Sequence, residues 1–214
     1  MPCSRSGAAS SNDRALKASP AAWLGLAALL AAAAFGGALF PASALDWQPA
    51  VAVREPWRAF TAVAVHYSPR HLGVNLAGTA LVAALGWAAR VPASMAAAWA
   101  CAWPLTQLGL ALRPDLQHYG GLSGVLHAGA AVVAVHLTLS SRGMRRALGA
   151  GLGAGLVLKV LLEAPWGAPL RHPPGWDIAT APLGHATGLA AGVACALVAH
   201  ASMRHHAGST TPIR

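Results

Sequence analysis

The sequence predicts an all-α polytopic membrane protein, a six-helix bundle with both chain ends on the inner side of the membrane. Three observations carry that reading. The chain has 214 residues, of which 56% are hydrophobic and only 10% charged, and its mean hydropathy is +0.50. A soluble domain of this length carries far more charge on its surface. The apolar residues gather into six segments of roughly 20 residues, the length that spans a bilayer core. Nearly all the Lys and Arg residues fall between those segments.

The first segment runs from about Pro20 to Phe40. Ala42-Ser43-Ala44 behind it resembles a signal-peptidase site, but the apolar run exceeds the ~7–15 residues of a leader, so a retained helix is expected. The second runs from about Pro69 to Ala89, with Ser68 as N-cap and Pro69 at the first helical position. The third spans about Pro92 to Leu112, with a kink expected at Pro104. The fourth runs from Ser123 to about Leu139, the fifth from about Arg146 to Leu162, and the sixth from about Pro182 to His200. Gly149, Gly151, Gly153 and Gly155 suggest a tight helix contact on the fifth. These segments form one membrane domain over 20–201, between inner tails at 1–19 and 202–214. Its long outer connections, 41–68 and 163–181, are rich in Pro and Trp, and loops of that length tend to be functional.

Orientation follows from loop charge. With the N-terminus inside, the outer loops hold five basic residues, Arg54, Arg58, Arg70, Arg113 and Arg171, against nine in the inner loops and tails. The inner face carries the excess, which selects N-in and C-in. The net charge of +9 therefore sets topology and implies no nucleic-acid partner. Cys3, Cys101 and Cys195 make no CxxC, and no metal-ligand spacing occurs, so no metal site is expected.

In this topology the second, fourth and sixth helices all start on the outer side. His71, Asn75, Ser123 and His185 lie at those starts, so four polar residues spread along the chain share one depth. Such residues are costly in a membrane and are functional candidates by default. Gly120-Gly121-Leu122-Ser123-Gly124 is a glycine-rich turn opening a helix, whose free N–H groups suit a developing negative charge. His71 and Asn75, at i and i+4, share a face and can both donate to one oxygen. Gly184, Gly188 and Gly192 repeat one turn apart, beside His185, and allow two helix backbones to approach closely. Gly124 and Ala128 offer the matching face. His127, one turn after Ser123, is placed to pack against His185 rather than to act as base. Lys159 and Glu163, at i and i+4, read as a structural ion pair or a specificity element facing the site.

Together these motifs resemble the rhomboid family of intramembrane serine proteases, over about Trp57 to His200. Trp57-Arg58 resembles the family's W-R motif. His66, His71 and Asn75 match H-x4-H-x3-N, Gly121-Leu122-Ser123-Gly124 matches G-x-S-G, and His185, Gly188 and Gly192 match the sixth-helix motif. Gly184 stands where the family usually has alanine. The resemblance implies a Ser123/His185 dyad without a third acid, an oxyanion hole lined by His71, Asn75 and Ser123, and support from Gly121, Gly124, His127, Gly188 and His66. It implies no cofactor and a membrane-anchored protein substrate.

The compact core and the K-x3-E of Lys159 and Glu163 also resemble the rhombosortase branch, whose substrates are exported proteins with a C-terminal Gly-Gly motif, a transmembrane helix and a basic tail. The expected setting is a bacterial inner membrane, with the site opening to the periplasm. The alternatives are a rhomboid-like protein that binds membrane clients without cutting them, and a small proton-coupled transporter using its intramembrane histidines. The sequence does not set the oligomeric state.

Overall fold

The computed structural model describes residues 20–209; Cys3 and the tail charges Arg5, Arg14, Lys17 and Arg214 lie outside that range. The described chain is all-helical. Its long helices are α1 (Ala21–Gly36), α2 (Pro69–Ala89), α3 (Ala93–Leu108), α4 (Ser123–Ser140), α5 (Gly143–Leu162) and α6 (Pro182–Ser209). Five of the helices are long and apolar enough to cross a membrane, and the protein is a multi-pass membrane protein. The exception is α5. Every 18-residue window of it includes Arg145, Arg146 and Lys159. It still packs along α4.

α4 lies at the centre because it is apolar on every side, the pattern of a fully surrounded helix. Gly124–Leu126 and Ala128–Ala134 of this helix are buried. α2, α3, α5 and α6 all pack against it, and α1 packs on α2 and α3. Two tryptophans tie the bundle together. The fully buried Trp99 of α3 donates Nε1–H to the Val125 carbonyl at 2.8 Å. Trp23 of α1 lies against it, ring centroids 4.4 Å apart, and donates to the Val82 carbonyl at 3.0 Å. A buried indole N–H needs such a partner, so these bonds fix both rings.

Lipid tails give helices no hydrophobic reason to associate, so close van der Waals contact must do it. α4 and α6 meet in this way. A Cβ on Gly192 would lie 2.4 Å from the Ala128 carbonyl oxygen. The glycines of α5 divide. Gly149 is pressed against Leu137 and Thr138, and Gly153 is near Ala134, whereas Gly151 and Gly155 meet nothing within 4 Å. Residues two apart fall on different helix faces, so two of the four expected contact glycines point away.

Helix ends differ from expectation where chemistry intervenes. Past Pro104, α3 tightens into a 3-10 turn, Gly109–Leu112, instead of continuing as α-helix. The Thr106 carbonyl accepts from the Thr187 hydroxyl at 2.9 Å. α6 runs to Ser209 rather than His200. The fall in hydropathy there marks the end of the apolar span, and no proline stops the helix before Pro212.

Segment 41–68, expected as an outer loop, is folded. Its anchors are the buried Asp46 and Arg58. Arg58 Nη1 donates to the Ser43 carbonyl at 2.9 Å, the Asp46 carbonyl at 2.8 Å and Asp46 Oδ1 at 3.2 Å, and Nε bonds Glu55. Asp46 Oδ2 lies 2.7 Å from His118 Nδ1. Trp47 and Tyr119 exchange backbone bonds of 2.8 and 2.9 Å. Buried charges are tolerated only when paired and hydrogen-bonded in this way. The clamp holds residues 118–119 just ahead of the glycine-rich turn.

Candidate active site

Ser123 is the first residue of α4, so its backbone N–H has no partner within the helix. The turn before it depends on Gly121, whose φ of +120° is strained for any residue with a Cβ. The Gly121 N–H donates to the Ala62 carbonyl at 2.9 Å, which fixes the turn against the outer segment.

His185 reaches this serine from α6. Its Nε2 is 3.0 Å from Ser123 Oγ. The approach is close because a Cβ on Gly124 would sit 2.7 Å from the Gly184 carbonyl oxygen. Gly184 itself has no room for the alanine usual in the family, since a Cβ would lie 2.8 Å from the Tyr119 hydroxyl. His127 stacks on His185, with centroids 4.3 Å apart and planes at 18°. Its Nδ1–H donates to the Ser123 carbonyl at 2.7 Å, leaving Nδ1 unavailable as a base for the serine.

His71 and Asn75 come from α2. Ser68 Oγ accepts from the His71 backbone N–H at 3.0 Å, capping α2 and setting the depth of both residues. Both side chains face the turn before Ser123. A Cβ on Gly121 would be 2.7 Å from His71 Nε2 and 3.3 Å from Asn75 Nδ2. Asn75 Nδ2 and His71 Nδ1 are buried without a protein partner. Such groups cost roughly 1–3 kcal/mol each in desolvation. The Asn75 amide is therefore a donor held ready for an acceptor that the folded chain does not itself supply.

His71, Asn75, Ser123, His127, Lys159, Glu163 and His185 all line one cavity of about 1060 Å³. The 163–181 connection covers part of it. Arg70 of α2 bonds the Gly175 carbonyl, and its guanidinium lies 4.9 Å from the centre of the Trp176 ring. Its wall is mostly apolar, with the polar groups of Ser123, His185, His71 and Asn75 converging on it, the usual form of a binding cleft.

His66 remains outside this cluster. Its ring lies 4.8 Å from that of His71, and burial pushes its pKa below the usual histidine value. The His66 ring buttresses His71. His118 belongs to the Asp46 clamp, and His200 lies 3.4 Å from Ser140 Oγ at the last turn of α4.

Two features are not foreshadowed by the sequence motifs. Tyr119 wedges between the starts of α4 and α6. Glu163, expected to form a structural ion pair with Lys159 or a specificity element facing the site, places Oε2 2.6 Å from His185 Nδ1, while Oε1 accepts from Lys159 Nζ at 2.6 Å. Burial raises the pKa of this carboxyl, but the bonds and charges of His185 and Lys159 outweigh that and hold it at about 2. The resemblance to a dyad without a third acid gave no reason to look for this contact.

The arrangement can activate a hydroxyl beside a preformed set of hydrogen-bond donors. No curated protein matches the chain. The rhomboid domain model matches residues 53–202, which includes His71, Asn75, Ser123 and His185. With more than half of its length inside that match, the chain belongs to the rhomboid family, whose members are typically intramembrane serine proteases acting on membrane proteins.

Proposed function

We propose that the protein is an intramembrane serine endopeptidase in which Ser123 is the nucleophile and His185 the general base. The observation that carries this is the 3.0 Å contact between His185 Nε2 and Ser123 Oγ, at the wall of a cavity that also holds Asn75 and His71. In the first step Ser123 Oγ bonds to the substrate carbonyl carbon as its proton passes to His185 Nε2. The tetrahedral oxyanion is met by the Ser123 N–H, Asn75 Nδ2 and His71, each such donor contributing ~3 kcal/mol to the transition state. The C–N bond then breaks, and His185 returns the proton to the leaving amine. Water then attacks the acyl carbon and gives its proton to His185; the C–Oγ bond breaks, and His185 returns that proton to Ser123 Oγ as the acid product departs.

The substrate we infer is an exported protein anchored by a C-terminal transmembrane helix, with a Gly-Gly motif ahead of the helix and a basic tail. The Lys159-x3-Glu163 pattern and the compact core support this assignment to the rhombosortase-like branch. The charge asymmetry of the loops supports an N-in, C-in chain in a bacterial inner membrane, with the site opening to the periplasm. Co-expression with a reporter bearing such a C-terminus tests the reading. The wild type releases the reporter from the membrane, and Ser123→Ala leaves it anchored. Release by Ser123→Ala at the wild-type rate refutes the assignment.

A further inference from the structure

The Glu163 carboxylate is placed poorly for stabilising its own helix. It lies at the C-terminal end of α5, where the helix dipole disfavours negative charge. Its lysine precedes it by four residues, the weaker order for such a pair. Helix stability therefore does not account for an acid here. Its two oxygens are divided between different helices, Oε1 on Lys159 of α5 and Oε2 on His185 of α6. The backbone below is fixed too. The Glu163 carbonyl accepts from Arg171 Nη1 at 2.7 Å, and Ala164 takes the left-handed conformation that closes α5.

We propose that Glu163 is the positioning residue for His185, holding the imidazole in the one tautomer and orientation that can accept the Ser123 proton, with Lys159 as its counter-charge. The inference rests on the Ser123–His185 reading above. An ionised carboxylate can only accept hydrogen bonds. At 2.6 Å from Glu163 Oε2, His185 Nδ1 must therefore carry the hydrogen. Nε2 is then left with a lone pair toward Ser123 Oγ. When the serine proton moves to Nε2, the imidazolium gains a negative partner already in contact, and Glu163 stays ionised throughout. The His127 ring holds one face of His185, so the ring is fixed at Nδ1, at Nε2 and across its plane. The result is a serine–histidine–acid chain of the kind found on unrelated hydrolase folds, assembled here from α4, α6 and the end of α5.

The test is the saturation kinetics of a fluorophosphonate probe with detergent-purified full-length protein, expressed per folded molecule from a melting curve on the same sample. Glu163→Gln lowers the limiting rate of Ser123 modification by about 10²–10⁴-fold, leaving the half-saturating probe concentration nearly unchanged. Glu163→Ala loses less than Glu163→Gln, because the amide can donate to Nδ1 and stabilise the wrong tautomer. Glu163→Asp recovers part of the rate. Lys159→Ala, which leaves the Glu163–His185 contact in place, costs far less than either. A wild-type rate in both Glu163→Gln and Glu163→Ala, or equal losses in Lys159→Ala and Glu163→Ala, overturns the proposal while the Ser123 assignment stands. Equal labelling of wild type and Ser123→Ala defeats the protease reading itself, and this inference with it.

Discussion

The Gly124 carbonyl oxygen occupies the place where a Cβ on Gly188 would go, with only 2.0 Å between the two. The obstructing atoms are backbone, so they cannot swing aside as a side chain would. This contact sets the spacing of α4 and α6, and with it the reach of His185 to Ser123.

Gly188→Ala is therefore expected to destabilise the protein by about 1–3 kcal/mol and to push the two helices apart. A displacement of about 1 Å at the site lowers turnover by roughly 10²-fold, so probe labelling falls further than the loss of folded protein explains. Gly151→Ala is the control. Nothing lies within 4 Å of that position, and an exposed helical glycine replaced by alanine stabilises by about 0.5–1 kcal/mol. Melting curves and labelling rates of the two variants make the comparison.

Asn75→Ala is expected to lower kcat much more than it raises KM, because an oxyanion donor acts mainly in the transition state. His71→Ala combined with Asn75→Ala costs less than the sum of the two, if both serve one oxygen. Steady-state kinetics with Tm on the same samples separates this from packing. Unchanged kcat per folded molecule with a lowered Tm would reduce Asn75 to a packing residue.

Acid stability has a defined sign. The Glu163 carboxyl is held at about 2, below its ordinary value of 4.5. A depressed carboxylate stabilises the fold above its unfolded pKa and loses that contribution as pH falls through its folded pKa. The Tm difference between wild type and Glu163→Gln therefore shrinks as pH falls from about 4.5 toward 2. A difference that is unchanged across that range contradicts the assigned partners.

Much of the site was legible because its chemistry is written in short spacings. The three residues between His71 and Asn75, the Gly-Gly turn ahead of Ser123, and the glycines after His185 each encode a local geometry. The starts of α2, α4 and α6 then bring these motifs to one cavity. The rest depends on contacts that no local period encodes. Glu163 meets His185 across 22 positions, and its pairing with Lys159 offered a sufficient local explanation. Asp46 meets His118 across 72 positions, so segment 41–68 read as loop although it clamps the glycine-rich turn ahead of Ser123. Hydropathy also located membrane boundaries rather than helix ends, which is why α6 outruns its apolar span.

Topology can be tested in intact cells with a background lacking Cys3, Cys101 and Cys195. Val53, 95% exposed in the outer segment, and Met144, 75% exposed at the start of α5, are suitable cysteine sites. An impermeant thiol reagent is expected to label Val53→Cys and spare Met144→Cys. The opposite pattern would turn the site toward the cytoplasm and remove the basis for an exported substrate.

The proposed chemistry stands or falls on Ser123 being a nucleophile activated by His185. Intact-protein mass spectrometry after fluorophosphonate treatment, with the adduct located by peptide mapping, tests this whatever the natural substrate is. A single adduct on Ser123 is expected in the wild type, none in Ser123→Ala, and labelling slowed by orders of magnitude in His185→Ala, with all three proteins folded. An adduct on another residue, or equal labelling of the folded wild type and Ser123→Ala, would contradict that assignment.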